Sequence, residues 1–480
     1  MGKTTLLQHV YKDEITKEFD LKMWVCVSNN FDVKKVIADM LESLKKERPR
    51  LETLEALQDS LRTEMMSKKF LLVLDDIWEE DEEKDKSKWE DVLAPLASGG
   101  FGTKILVTTR MDSAALMIAK VIKKKKESLR LEGLEEEECL ELLNTHAFAD
   151  VDNLDDQRKL NLITAEIAKK LSGSPLAAKV IGGILNSNLD ERHWRRVLDC
   201  VTEIIKFGQN DIIHVLRLSY IHLPQHLKSC FTFCSIFPQD YKFDKDALVQ
   251  KWIALGFIQP SYIQGETMED IGGRYFDVLV KKSFFDKLED LKYFKTSIYY
   301  KMHDLLHELA ESISKLECFR VEDSTKLPSI IPETLRHLSI GTTNPNIIKE
   351  FGKFKYLRSI FLFNKAFSQD LCNALIEILK ASRSLRLLYI WAPKDLEIIP
   401  EEIGNLIHLR YLKIDSYNLT MLPRSLSNLY HLQYINFDST RGPSQPKVDD
   451  FLPSDINNLS NLRYVKLPNN YISSIYGLGS

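Results

Sequence analysis

Short segments with one apolar pattern recur along the last third of the chain and fix what that part can become. LRLLYI (385–390), LRYLKI (409–414), LQYINF (432–437) and LRYVKL (462–467) each place apolar residues at relative positions 1, 4 and 6. Their starts lie 24, 23 and 30 residues apart, and LRHLSI (335–340) and LRSIFL (357–362) are fainter copies. A second signature precedes the clear copies, in IPEEIGNL (399–406), LPRSLSNL (422–429) and LPSDINNL (452–459). A unit of this length cannot bury its own apolar positions. It does so only by stacking on its neighbours, with one short strand and one return segment per unit.

This period and spacing are the leucine-rich repeat signature, so an α/β solenoid is expected over residues 326–480. The long third interval predicts a loop insertion over about 439–449, and the ending YGLGS, without a polar cap, suggests an array cut short.

The first part of the chain has a different texture. LKMWVCVS (21–28), KFLLVLDD (69–76) and TKILVTTR (103–110) are apolar runs bounded by polar turns, with helical patterns between them at Val36, Met40, Leu41 and Leu44, then Leu54, Leu57 and Leu61. Continuous apolar strands alternating with helices indicate a parallel sheet covered on both faces. We therefore expect an α/β domain over 1–134, a helical region over 135–215, and a helical region with a β-hairpin over 216–325. That last arrangement is winged-helix-like, with YFKTSIYYKMHD (293–304) as the strand-like stretch. The charge runs at 79–88 and 123–126 read as solvated loops.

Composition removes several classes. A net charge of −4 gives no electrostatic reason to expect nucleic acid. No apolar run is long enough to span a membrane, and residues 1–20 do not read as a secretion signal. Seven cysteines, an odd and sparse set, argue for a reducing compartment, and Cys230 with Cys234 lacks partners at zinc-ligand spacing.

The chemistry concentrates near the start. Gly2-Lys3-Thr4-Thr5 opens a helical stretch, as in a phosphate-binding loop, whose lysine meets phosphate oxygens and whose hydroxyl meets Mg²⁺. LLVLDD (71–76) has the form of a Walker B strand. Its buried run would deliver Asp75 and Asp76 to the same sheet edge, Asp75 for Mg²⁺ and Asp76 to orient an attacking water. Arg110 ends a third strand there and could sense a γ-phosphate.

In order, FDLKMWVCVS (19–28), KKFLLVLDDIW (68–78), GTKILVTTR (102–110), LEGLEEEECLELLNTHAF (131–148), GSPLAAKVIGG (173–183), CFTFCSIFPQDYKFDKDALVQKWIALGFI (230–258) and MHDLLHELA (302–310) carry a resemblance. The chain resembles plant disease resistance proteins with an NB-ARC ATPase module and leucine-rich repeats, and Trp78 is similar to the coiled-coil class of that family. The resemblance implies a multidomain chain: an α/β P-loop NTPase domain, helical and winged-helix domains, then the repeat solenoid. It implies that Pro175, beside Leu176, packs on adenine, whereas the residues alone indicate a helix-breaking turn. It implies that His303 meets the β-phosphate of ADP.

The family's module is a switch, in which ADP bridges the nucleotide-binding, helical and winged-helix domains and holds a closed state. Exchange for ATP opens it and permits self-oligomerisation, and any hydrolysis is a slow reset. The implied role is an innate immune receptor of the plant cytoplasm, recognising a pathogen effector or a guarded host protein through the repeats. The phosphate-loop pattern G-x-x-x-x-G-K-[ST] puts its first glycine ahead of Met1. An N-terminally truncated form, lacking a preceding strand and a signalling coiled coil, is therefore expected. Two alternatives remain at this point: a decoy or regulator that binds protein through the repeats without nucleotide, and a DNA-binding regulator. The neutral composition argues against the second of these.

Overall fold

The computed structural model describes residues 2–27, 31–45, 49, 51, 53–77, 82–122, 128–149, 154–206, 212–260, 265–292, 295–322, 327, 331–363, 368–391, 396, 399–416, 419, 421–437, 453 and 455–467. The chain divides into two units, Met1–Leu143 with Thr164–Ala178, and Asn144–Ile163 with Lys179–Ser480. Trp78, the lysines at 123–126 and the expected insertion at 439–449 lie outside the described residues.

In the first unit the three apolar runs become β1 (Leu21–Cys26), β2 (Phe70–Ile77) and β3 (Lys104–Thr109), a parallel sheet in the order β1-β2-β3. Helix α1 (Lys3–Lys12) precedes them, and α2 (Val33–Lys45) and α3 (Leu54–Met65) connect β1 to β2. Helix α4 (Glu82–Leu93) leads toward β3, which is followed by α5 (Asp112–Ile122). Strand β2 is central and its Phe70–Leu74 are all buried. That is why the run reads FLLVL without polar alternation, as a strand covered on two faces must. Val36, Ile37, Met40 and Leu41 of α2 and Leu57 and Leu61 of α3 recur at helical spacing and close on Met23, Val25, Leu72 and Leu74.

One expectation is corrected here. Residues 82–88 are not loop but the first two turns of α4. Their Glu and Lys side chains suit a helix, and the helix is anchored by Trp89 and Val92, both fully buried, with Phe31 stacked on the Trp89 ring at 4.5 Å.

Helices α6 (Glu136–Ala147), α7 (Leu154–Lys170) and α8 (Pro175–Asn186) are shared by chain position between the units. The second unit continues with α9 (Glu191–Lys206), α10 (Ile212–Ile221), α11 (Gln225–Phe233), α12 (Lys245–Leu255) and α13 (Met268–Lys281). A hairpin follows, β4 (Asp286–Lys292) antiparallel to β5 (Lys295–Lys301), and then α14 (Asp304–Ser314). Helix α13 starts on a capping box in which Thr267 and Asp270 satisfy each other's backbone N–H groups. Phe243 and Tyr300 exchange backbone hydrogen bonds of 2.7 and 2.9 Å, which ties the hairpin to the segment before α12. Helices with a single hairpin are the winged-helix arrangement expected.

The repeats form a seven-stranded parallel sheet in strict chain order. Its strands are β6 (Cys318–Val321), β7 (His337–Ile340), β8 (Ser359–Phe363), β9 (Leu387–Trp391), β10 (Tyr411–Asp415), β11 (Tyr434–Phe437) and β12 (Tyr464–Lys466). Leu338, Ile360, Leu388, Leu412, Ile435 and Val465 stand in register across β7 to β12. The leading leucines 335, 357, 385, 409 and 432 are fully buried. The return segments are α15 (Pro345–Lys349), α16 (Gln369–Ala381) and single 3-10 turns at Glu401–Asn405, Arg424–Asn428 and Ile456–Asn458. The sheet begins at Cys318, eight residues before the expected start at 326, because ECFRV pairs as a strand without carrying the leucine pattern.

Within this unit the repeat sheet packs on the winged-helix segment. The buried Lys251 of α12 lies 5.2 Å from the Tyr411 ring centre. The Tyr434 hydroxyl donates to Glu269 at 2.7 Å, and Arg463 donates to the same carboxylate.

Candidate nucleotide-binding site

The first turn of α1 with its N-cap and the ends of β2 and β3 bring six of the sequence-assigned residues into one cluster. Gly2 is the N-cap of α1 at φ 72°, a left-handed conformation that glycine adopts without strain. Lys3 follows and donates through Nζ to the Thr109 carbonyl at the end of β3. Thr4 points the other way along the cluster, its Oγ1 donating to Asp75 Oδ1 at 3.1 Å.

The two acids diverge because β2 breaks register between Leu74 and Ile77 and Asp76 takes φ 58°. A bulge of this kind re-aims side chains at a strand end. Asp75 is buried and its Oδ1 also accepts from Thr108 Oγ1 at 2.5 Å. The same Thr108 hydroxyl accepts from the Asp76 N–H at 2.8 Å, so one side chain holds both acids. Asp76 Oδ1 lies 3.4 Å from Arg110 Nε.

Burial lowers the Lys3 ammonium below the usual lysine range, and Arg110 lowers it further. Asp76, Asp112 and Asp75 act in the opposite direction. A half-buried cation whose solvation is incomplete, seated at a helix N-terminus, is an apt partner for phosphate. Thr4 and Asp75 offer oxygen donors only, the donor type of a hard divalent cation whose remaining positions go to water and phosphate. Among the described residues no group of three or more His, Cys, Asp or Glu is placed to hold a metal ion.

The sequence assigns four further residues. Thr5 is exposed on α1 and makes no part of the hydrogen-bonded cluster. Pro175 is the first residue of α8 and Leu176 the second, both half-buried. The helix-breaking turn expected from Gly-Ser-Pro-Leu is therefore also a helix start, with Ser174 Oγ accepting from the Ala177 N–H at 3.2 Å. Just ahead of it Gly173, at φ 66°, receives Leu134: a Cβ at Gly173 would stand 2.4 Å from the Leu134 carbonyl. His303, in the second unit, is the N-cap of α14, and its Nδ1 accepts from the Leu305 N–H at 3.2 Å.

Sequence reasoning missed Thr108 and Thr109. The signal was present in the Thr-Thr-Arg ending of the third apolar run, where hydroxyls beside a cation at a strand's end have buried acids within reach.

Residues 1–153 match the NB-ARC domain family, and residues 236–310 match the family described as Disease resistance protein Winged helix domain. The chain thus carries an NB-ARC domain, which implies nucleotide binding, and a disease-resistance winged-helix domain, and it is similar to plant disease resistance proteins. Among its relatives, disease resistance protein RGA2 of Solanum bulbocastanum is 34% identical over 85% of this chain and 38% of that protein. RGA1 of the same plant is 32% identical over 87% of this chain and 38% of that protein. Disease resistance RPP13-like protein 1 of Arabidopsis thaliana is 32% identical over 87% and 39% respectively. The chain spans less than two-fifths of the length of each. No helix among the described residues is long and apolar enough to cross a membrane.

Proposed function

We propose that this chain is the switching and recognition part of a plant innate immune receptor, controlled by exchange between ADP and ATP. The observation that carries the proposal is the convergence of Lys3, Thr4, Asp75, Asp76 and Arg110 at one end of a parallel sheet. In this reading Lys3 leaves the Thr109 carbonyl for the β- and γ-phosphates. Thr4 and Asp75 hold Mg²⁺, which would supply charge neutralisation at the phosphates. Asp76 orients a water, and Arg110 meets the γ-phosphate. Thr5 adds a hydroxyl at the helix start, and Pro175 and Leu176 pack on the base.

The family resemblance assigns His303 to the β-phosphate of ADP. A nucleotide moves such a switch only as far as it prefers one state over the other. His303 therefore favours the ADP state and Arg110 the triphosphate state, with slow hydrolysis as the reset. The repeat sheet is the recognition element, for a pathogen effector or an altered host protein in the cytoplasm, and the ATP state self-associates. The sequence boundaries near 134, 215 and 325 separate the parts that move.

Mg²⁺ dependence tests the site. Titration of the chain with a fluorescent ATP analogue should tighten at least tenfold on adding Mg²⁺, and Thr4→Ala or Asp75→Asn should remove that gain. Equal binding with and without Mg²⁺ in the unaltered chain would refute the assignment of these two residues.

A further inference from the structure

Helix α12 packs against strands β9 and β10 of the repeat sheet. Leu248, Val249, Trp252 and Ile253 are buried on it, as a core helix requires, and among them sits Lys251, only 6% exposed. A lysine this deep ordinarily answers to a carboxylate. Among the described residues Lys251 has no ion pair. Its Nζ donates to the Ala247 carbonyl one turn back, at 2.8 Å, and stands 5.2 Å from the centre of the Tyr411 ring.

The acids around this amine are engaged elsewhere. Asp415 on β10 accepts from the Tyr389 hydroxyl at 2.8 Å and lies 3.2 Å from Lys413 Nζ. Asp244 caps α12 by accepting from the Ala247 N–H. On α13, Asp277 is taken by Lys245, and Glu269 by Arg463 and Tyr434. Tyr411 is fully buried, and its hydroxyl has no hydrogen-bond partner among the described residues. Burial, and after it the Lys413 charge, lower the Lys251 amine to about 7, and Asp244, Asp415 and the buried Cys234 oppose this only in part. Two further buried bases lie on the same side of this unit, His307 and His337, and burial lowers both below 6.5.

We propose that Lys251 is a proton-operated release between the winged-helix segment and the repeats: uncharged it lets α12 seat on β9 and β10, and charged it favours their separation. An ammonium withdrawn from water into a site with one carbonyl loses most of its solvation, whereas in the separated state it is hydrated. Proton uptake therefore belongs to the open state. As pH falls from the ordinary lysine value of 10.5 toward about 7, each unit favours opening by up to about tenfold. Below about 7 both states carry the proton and the effect is complete. Opening uncovers Tyr411 and the neighbouring Tyr389, so a partner that reads this strand face competes with α12, and its access is linked to pH. The release uses none of the residues of the Lys3 cluster and operates without nucleotide.

Hydrogen exchange of the whole chain tests this, read by mass spectrometry at about pH 7, 8 and 9 with labelling times scaled to the intrinsic exchange rate. Peptides from α12, β9 and β10 should gain at least about tenfold in protection from the lowest to the highest pH. Peptides from α2, in the first unit, should not change. Lys251→Met, neutral and of similar length, should show the high protection at every pH. Lys251→Arg, charged throughout, should show the low protection at every pH. Should either variant fail to fold, the profile of the unaltered chain decides. The proposal is overturned if these peptides are equally protected across the range in the unaltered chain, or if α2 changes as much as they do. It is also overturned if a folded Lys251→Met keeps the same pH dependence, or is less protected than the unaltered chain at pH 7, which would make the lysine a support of the joint.

Discussion

Thr108 shows how much of the candidate site depends on a residue with no assigned chemistry. Its hydroxyl donates to Asp75 and accepts from the Asp76 N–H. Thr108→Val keeps the shape and leaves a buried carboxylate oxygen and an N–H short of a partner, which costs about 1–3 kcal/mol. Denaturant titration should show that loss, and Thr108→Ser should recover most of it. His337 sets a pH dependence at the same scale. It is buried, bonded to Ser359 Oγ at 2.8 Å, and burial followed by Arg358 and Arg336 lowers its pKa to about 3. The folded state keeps it neutral while the unfolded state takes up a proton below about 6.5. Stability contributed by this group is therefore full above pH 6.5 and is lost as pH falls toward 3, by about 1.4 kcal/mol per unit at most. Melting followed from pH 7.5 to 5 should show that fall, and it should flatten in His337→Gln. Lys3, Thr4, Asp75, Asp76 and Arg110 were legible in the sequence because phosphate chemistry demands those residue types beside a helix start and at strand ends. The Gly-Lys-Ser/Thr pattern assigns the metal-facing hydroxyl to Thr4 rather than Thr5, and Thr4 is the one whose Oγ1 bonds Asp75.

Elements were legible where burial on two faces wrote a continuous apolar run, as in β2, and where helical spacing recurred, as in α2 and α3. Helix α4 was not, because its first two turns are almost wholly charged and the residue that fixes it, Trp89, lies just beyond them. A charge run alone cannot distinguish a solvated loop from a helix buried along one edge. Trp89→Ala should cost about 3–5 kcal/mol, as expected for a large core side chain left with a cavity, and urea titration of the purified chain would measure it. In the repeats, Leu412 stands between Leu388 and Ile435 in the stacked core. Leu412→Ala should cost about 2–5 kcal/mol, with the spread set by how far its neighbours collapse. Strand β6 escaped notice for the opposite reason: Cys318, Phe319, Arg320 and Val321 pair with β7 through the backbone, which imposes no leucine pattern.

At the scale of the molecule, the NB-ARC match covers residues 1–153, the winged-helix match residues 236–310, and the parallel repeat sheet begins at Cys318. The order was readable because each part carries its own period: helices between apolar strands, then helices with one hairpin, then the repeat. The winged-helix contacts on the repeat sheet were not readable, since Glu269, Tyr434 and Arg463 meet across 165 and 194 residues of sequence. We propose that Lys3 and its neighbours hold a nucleotide. The direct measurement is to purify the 480-residue chain, denature it and identify the released nucleotide by chromatography, beside Lys3→Ala. Near-stoichiometric ADP from the unaltered chain, absent from a folded Lys3→Ala, is the predicted result. A folded, unaltered chain that releases no nucleotide would contradict it.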